Sequence, residues 1–239
     1  MQIIKYSIEY MMIENEIEFS RQLYGQLARI SKAMASPRRL ELVDLLAQGE
    51  RTVEDLAALT AMSVANTSRH LQTLRAARLV TVRREGLYAH YRLADAGVFR
   101  LWQAVRDLGE ARLAGVRELV RARFEPRGAR GGVELAELRR RLESGEAIVL
   151  DARPEREFRA GHIPGALSLP IEDLDAHLHV LPADQEIVVY SRGPYCGMAD
   201  QAVAILEANG YRARRLAQGF PDWRAAGHPV AVDSHDARS

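Results

Sequence analysis

Ile187-Val188-Val189-Tyr190-Ser191-Arg192-Gly193-Pro194-Tyr195-Cys196-Gly197-Met198 is the stretch whose reading decides the fold. Four apolar residues stop at a Gly-Pro turn and are followed by the helical pattern of Ala202, Ile205 and Leu206, which predicts a buried strand, a tight loop and a helix N-terminus. Such a junction aims several backbone N–H groups and the positive end of a helix dipole at one small concavity, a cradle for an anion or a thiolate. A cysteine at the first loop position would be a strong nucleophile because its pKa would be depressed. Here that position is Ser191.

Working outward, Leu135, Leu138 and Leu142 predict a helix, and Ala147 to Leu150 predict a second buried strand that runs into the loop Asp151-Ala152-Arg153-Pro154. Gly161-His162-Ile163-Pro164-Gly165-Ala166 is a turn, and Arg214 to Leu216 predict a last strand before Gln218-Gly219-Phe220-Pro221-Asp222-Trp223. Strands alternating with helices imply a parallel sheet, whose ligand site lies at the strand carboxyl ends. Asp151, Arg153 and Ser191 to Cys196 all fall there.

The preceding half has a different period. Leu23, Leu27, Ile30 and Met34 mark a helix that Ser36-Pro37 ends, and a second runs from Arg38 to Gln48 before Gly49. Thr52, with Asp55 three residues on, caps a short helix through Leu59. Ser63 caps Val64 to Ala77, read with Asn66, Thr67, Arg69, His70, Gln72 and Thr73 exposed around buried Val64, Leu71 and Leu74. Amide, hydroxyl and guanidinium heads near a helix N-terminus are what base edges and phosphates demand in a major groove. Leu79 to Arg84, Glu85-Gly86 and Tyr88 to Leu93 form a hairpin with Arg83 and Arg84 near its tip, so the order is that of a winged helix-turn-helix.

Composition sets the frame. The 239 residues, 47% hydrophobic, suffice for two domains. One cysteine excludes an intrachain disulfide and points to a reducing cytoplasm. No apolar run approaches the length of a membrane span and no signal-peptide layout opens the chain, so a soluble cytoplasmic protein without a membrane partner is expected. Net charge is +1, but residues 1–125 carry 19 Lys+Arg against 15 Asp+Glu and residues 126–239 carry 14 against 17. Arg69 to Arg92 hold six arginines and one acid, Glu85, a basic patch that suggests a polyanion partner at that place. The resulting division is an N-terminal extension, 1–20; a DNA-binding and dimerisation domain, 21–124; a Gly/Arg-rich linker, 125–132; an α/β domain, 133–230; and a tail, 231–239. The extension is read as an ill-ordered or dimer-packed segment.

Ser68-Arg69-His70-Leu71-Gln72-Thr73-Leu74, Leu79-Val80, Arg83-Arg84-Glu85-Gly86 and Tyr91-Arg92-Leu93 resemble the recognition helix and wing of the ArsR family of bacterial repressors, from about Leu23 to Phe124. The resemblance implies that Asn66, Thr67, Ser68, Arg69, His70, Gln72, Arg83 and Arg84 face double-stranded DNA. Many members sense metals through cysteines or through Asp and His. Here Val53 to Ala61 has neither Cys nor His and Val98 to Phe124 has no His, so no metal site is expected. Val98, Leu101, Val105 and Leu108 continue as a long amphipathic helix, which the family uses for dimerisation. A homodimer with recognition helices about 34 Å apart would read a palindromic operator.

Asp151-Ala152-Arg153, Glu157-Phe158, Gly161 to Ala166 and Gly219-Phe220-Pro221-Asp222-Trp223 resemble, in order, the blocks of a rhodanese domain from about Val133 to Val230. In rhodaneses the first residue of the six-residue loop is a cysteine that accepts sulfane sulfur as a persulfide held by loop amides. In repressors fused to a rhodanese the loop commonly reads Cys-Arg-Gly-Pro-Tyr-Cys. The resemblance assigns Ser191 to the nucleophile position, with Gly193, Tyr195 and Gly197 in the cradle and no cofactor. Arg192 would steady a bound anion, Asp151 and Arg153 would brace the loop as an ion pair, and His162 would be structural. Cys196 would be a resolving thiol for a cysteine at 191, or itself a site of persulfidation.

A serine hydroxyl is not appreciably ionised at neutral pH and its oxygen cannot carry a persulfide, so sulfurtransferase turnover through Ser191 is expected to fail. Two explanations stay open: an engineered Cys-to-Ser replacement, favoured because every surrounding residue fits an active loop, and a natural pseudoenzyme that kept the cradle. Three functions follow. The first is a repressor whose DNA affinity responds to reactive sulfur from a small donor such as a persulfide or thiosulfate. The others are a sulfurtransferase with an accessory DNA-binding domain and a regulator that binds arsenate or another oxyanion without turnover.

Overall fold

A computed structural model describes residues 2–124, 132–182 and 184–233, with side chains described from Glu14 onward. The described chain forms two compact units, divided at Val43/Asp44, Glu50/Arg51 and Ala94/Asp95. The first is a mainly helical winged helix-turn-helix and the second an α/β fold on a parallel sheet. The expected linker, 125–132, and tail, 231–239, lie largely outside the described residues.

The first unit runs α1 (Gln2–Met34), most of α2 (Pro37–Leu46), β1 (Arg51–Thr52), α3 (Val53–Thr60), α4 (Val64–Ala76), β2 (Val80–Glu85) and β3 (Tyr88–Leu93). The segment before residue 20 continues α1. Thr52 caps α3 as expected: its Oγ1 accepts from the Asp55 amide at 3.1 Å while the Asp55 carboxylate accepts from the Thr52 amide at 3.3 Å. Ser63 caps α4 by accepting from the Asn66 amide. The strands form an antiparallel sheet in the order β1-β3-β2, with the two-residue turn Gly86-Leu87 at the tip of the wing. Leu42, Val43, Leu56, Leu71, Leu74, Val80 and Tyr91 are buried. Val64 departs from expectation: it is 48% exposed, because the inward face of α4 begins one turn later, at Thr67, Leu71 and Leu74.

The expected single long helix from Val98 is two, α5 (Ala96–Arg112) and α6 (Ala114–Phe124). Leu113 adopts extended backbone, φ −104° and ψ 110°. The break is stabilised by Arg117, whose Nη1 donates to the freed carbonyls of Glu110 and Ala111 at 2.9 and 3.1 Å.

In the second unit, α5, α6, α7 (Leu135–Ser144), β4 (Ala147–Asp151), α8 (Glu155–Ala160), β5 (Leu167–Ser168), a 3-10 helix (Asp175–Val180), β6 (Glu186–Tyr190), α9 (Met198–Ala208), β7 (Ala213–Arg215) and α10 (Phe220–Ala225) follow in order. The sheet is wholly parallel, β5-β4-β6-β7, with Leu150 opposite Val189 and Asp151 opposite Tyr190. Alternate residues of β6 serve opposite faces: Ile187 and Val189 pack with Leu174, Ala202 and Leu206, whereas Val188 and Tyr190 pack with Leu138, Ile163, Phe220 and Trp223. Both faces are buried, which is why the central strands read as continuous apolar runs. The carboxyl ends of β4 and β6 therefore open side by side.

Candidate functional site

Strand β6 ends at Tyr190, and the next residue, Ser191, is buried at the foot of the loop. The loop closes on itself where the Cys196 amide donates to the Gly193 carbonyl at 3.0 Å, and α9 starts after Gly197. From the other side the Phe220 amide donates to the Ser191 carbonyl at 3.1 Å. Gly219 packs so tightly there that a β-carbon on it would lie 2.4 Å from the Gly193 nitrogen and 2.5 Å from the Arg192 carbonyl carbon. Only a glycine tolerates that approach. The Gly219 to Trp223 block is thus the second wall of the loop.

Two buried ion pairs hold the floor. Asp151 and Arg153 are both fully buried. Arg153 Nη2 donates to Asp151 Oδ2 at 2.6 Å, Nε to Oδ1 at 2.9 Å, and Nη2 also to the Gly161 carbonyl at 2.8 Å. The guanidinium lies 4.3 Å from the Phe220 ring centroid. Burial alone would lower the Arg153 pKa, but Asp151, with Tyr190 and Glu157, more than offsets it, so the shift is upward. Tyr190 donates to Asp151 and accepts from the Ile163 amide at 3.2 Å, and burial, with the Asp151 charge, raises its phenol pKa. The second pair is Arg192 with buried Glu157, Nε to Oε2 at 3.0 Å and Nη2 to Oε1 at 2.5 Å. That commitment makes Arg192 a strut of the loop, and, against the opposing effect of burial, Glu157 raises its pKa. His162 is structural in this geometry: Nδ1 lies 2.9 Å from the Phe158 carbonyl and the ring stacks on Phe158 at 3.7 Å.

Sequence reasoning missed a further layer, contributed by Asp44 to Glu50 and by α5 within the same unit. Gln48 is buried; its Nε2 donates to the Arg192 carbonyl at 3.0 Å and its Oε1 accepts from Arg153 Nη1 at 3.4 Å. Asp222 Oδ1 accepts from Gln103 at 2.8 Å and from Arg106 at 2.7 Å, while Oδ2 accepts from the Gly219 amide at 3.1 Å. Tyr195 donates to Glu110 at 2.7 Å. Glu157 could have been found as the acid of its motif block, but nothing around Gln48 or Glu110 in the sequence marks either one.

Asp44 lies against this layer, accepting from Trp102 Nε1 at 2.9 Å. Burial holds its carboxyl above the ordinary aspartate value of 3.8; Asp222 adds to the rise, and Trp102, Arg106 and Arg192 oppose it. A raised folded-state pKa contributes stability that is present below the unfolded value and lost as pH rises through the folded one. Asp44→Asn, still able to accept from Trp102, is therefore expected to raise the denaturation midpoint at neutral pH. The gain should shrink as pH falls toward the ordinary aspartate value, and urea titrations across that range would show it.

In the first unit, Arg69 and Gln72 are exposed on α4, and Asn66, Ser68 and His70 are half-buried. Gln72 donates to the Tyr91 hydroxyl at 3.1 Å, which ties α4 to the wing. Burial and the charges of Arg39, Arg69 and Arg38 lower the His70 pKa. Thr67 does not join this face: it is fully buried and its hydroxyl donates to the Ser63 carbonyl at 3.0 Å. Arg83 and Arg84 are exposed on the wing, with Arg83 paired to Glu85 at 2.7 Å. Among the described residues no three His, Cys, Asp or Glu side chains converge so as to hold a metal, and no helix is long and apolar enough to cross a membrane.

Comparison with known proteins adds to this geometry. Residues 36–82 match the family described as bacterial regulatory protein, arsR family, and residues 134–226 match the rhodanese-like domain. Over 208 residues the chain is 44% identical to the HTH-type transcriptional regulator Rv0324 of Mycobacterium tuberculosis, spanning 87% of this chain and 91% of that protein. It is 34% identical over 104 residues to the human thiosulfate:glutathione sulfurtransferase, 38% of this chain and 90% of that one. A homodimeric winged helix-turn-helix DNA-binding domain from Mycobacterium bovis is 43% identical with a TM-score of 0.38, covering 40% of this chain and 88% of that one.

Proposed function

The chain belongs to the ArsR family of transcriptional regulators, in a form that carries a C-terminal rhodanese domain, and on that premise we propose that reactive sulfur handled by the rhodanese loop controls its binding to DNA. The observation that carries this reading is the loop itself. Asp151 with Arg153, Glu157 with Arg192, and the close packing of Gly219 hold it in shape even though residue 191 offers an oxygen.

In the loading step a cysteine thiolate at 191 attacks the sulfane sulfur of a persulfide. A new S–S bond forms at the loop, the donor's S–S bond breaks, and the donor leaves as its thiolate. Ser191 cannot take that part, which leaves Cys196 as the sole thiol at the cradle. With both cysteines present, the Cys196 thiolate would attack the inner Sγ of the persulfidated residue 191, forming the 191–196 disulfide as the bond to the outer sulfur breaks and that sulfur leaves as hydrosulfide. On the DNA side, Asn66, Ser68, Arg69, His70 and Gln72 of α4, with Arg83 and Arg84 of the wing, are the proposed contacts to base edges and phosphates. The exposed apolar side chains Leu23, Leu27 and Ile30 of α1 support a homodimer, as does the homodimeric state of the M. bovis domain. Control requires that loaded and unloaded states differ in affinity for the operator.

Intact mass and peptide mapping after exposure to a persulfide donor test this on the chain and on its Ser191→Cys variant. The variant is expected to gain one sulfur atom at 191, or to show the 191–196 disulfide that follows when Cys196 resolves it, and this chain neither at that residue. The loaded and unloaded variants are then expected to differ by about tenfold or more in affinity for duplex DNA selected by the full chain. Absence of added sulfur on both proteins, together with absence of the 191–196 disulfide in the variant, would reject the reading. A second reading, oxyanion binding without turnover, draws on Ser191 itself, which keeps the cradle without its nucleophile; competition by arsenate or phosphate tests it.

A further inference from the structure

The reading of a sulfur-responsive loop leaves open how its state leaves the loop, and the segment Ala47 to Glu50 carries that argument further. Resting on that reading, we propose that Gln48 is the positioning residue that ties the state of the Ser191 to Cys196 loop to the α2–β1 connection, and through it to the DNA-binding unit.

Three observations support it. Gln48 is 1% exposed and uses both ends of its carboxamide on the site, Nε2 on the Arg192 carbonyl and Oε1 on Arg153. A buried amide whose donor loses its partner carries a desolvation penalty, so a rotation of the Arg192 peptide forces Gln48 to follow or to leave a polar group unpaired. The segment around it is also held. Arg224 Nη2 donates to the Ala47 carbonyl at 2.6 Å, Arg156 Nη2 donates to the Glu50 carbonyl at 3.4 Å, and a β-carbon on Gly49, whose φ is +148°, would lie 3.0 Å from the Ala160 β-carbon. A movement at Gln48 is therefore not absorbed by slack chain on either side.

The third observation is connectivity. Asp44–Glu50 belongs to the second unit, but the chain enters it from Val43 in α2 and leaves it at Arg51 in β1, both in the first unit. Arg51 pairs with Tyr91 of β3, the strand that forms one side of the wing and whose Tyr91 hydroxyl accepts from Gln72 of α4. The proposed path thus runs from the Gln48 hydrogen bond on the loop along the covalent chain to Arg51, across the β1–β3 ladder, and through the Gln72–Tyr91 hydrogen bond to α4.

Amide hydrogen exchange on the full chain tests this in the Ser191→Cys background, comparing unloaded protein with protein shown by mass to be fully loaded at residue 191, as the persulfide or as the 191–196 disulfide it resolves to. Loading is expected to change protection in α2, β1 and β3. Adding Gln48→Leu is expected to abolish that change, while adding Tyr211→Phe, which removes a hydrogen bond to the Leu178 carbonyl elsewhere in the second unit, preserves it. A response that persists with Gln48→Leu, or that Tyr211→Phe abolishes, overturns the proposal. So does failure of the Gln48→Leu protein to load, since Gln48 would then serve the loop's chemistry. If Gln48→Leu does not fold, Gln48→Glu is scored in the same way, because a glutamate keeps the acceptor for Arg153 and loses the donor to the Arg192 carbonyl. Absence of loading in Ser191→Cys itself rejects the sulfur reading and this inference with it, a result distinct from loading that proceeds with an unaltered relay.

Discussion

Arg153→Ala is expected to destabilise the second unit by about 3–5 kcal/mol, the usual range for removing one partner of a buried ion pair. The residue left behind decides the magnitude. Asp151 is fully buried at the end of β4, where the substitution removes the guanidinium, while the amide of residue 153 and the Tyr190 hydroxyl stay as donors. The Gly161 carbonyl loses its donor at 2.8 Å, and Phe220 loses the cation over its ring. Arg153→Lys should recover little, because an ammonium cannot reproduce the forked bonds from Nε and Nη2 to the carboxylate. Replacing both partners by apolar residues of similar size should recover much of the loss, since no unpaired charge remains. Urea unfolding of the four proteins measures this. A loss below about 1 kcal/mol for Arg153→Ala would show that the pair is not what holds the loop floor.

Gly219→Ala is expected to displace the loop, with a loss of about 1–3 kcal/mol from overpacking and a failure of Ser191→Cys to accept sulfur in the same chain. The backbone of residue 219 suits any amino acid, φ −121° and ψ −177°, so the cost is contact rather than conformation. The atoms a β-carbon would meet, the Gly193 nitrogen and the Arg192 carbonyl group, are main chain and cannot rotate away as a side chain would. Gly193→Ala supplies the contrast: a β-carbon there meets nothing within 4 Å, so it should leave stability near that of the parent. Thermal denaturation with mass analysis of sulfur uptake separates the two variants. Equal behaviour of both would remove the packing argument.

Much of the site was legible because its signals are local. The apolar run Ile187 to Tyr190, stopped by Gly193-Pro194, has one physical solution when both sheet faces are covered, and β6 and its loop lie where the pattern places them. The caps at Thr52 and Ser63 are set by residues within one turn of chain and formed as read. Patterns that depend on facing partners were less readable. Thr67 looks like an exposed polar residue until α4 is packed, when it is fully buried and its hydroxyl turns back to Ser63. The helix from Val98 has continuous periodicity, yet it breaks at Leu113, where Arg117 supplies the freed carbonyls with a donor from the following turn.

The sequence by itself determined the two architectures, their order, the loop at the β6 carboxyl end and the oxygen at its first position, because each is written in neighbouring residues or in a repeating period. Only the tertiary structure decided who holds that loop. Glu157 grips Arg192 from 35 residues away in the chain, and Gln48 reaches the Arg192 carbonyl across 144. Such contacts leave no periodicity in sequence, since a buried polar side chain is selected by the one partner that folding brings opposite it.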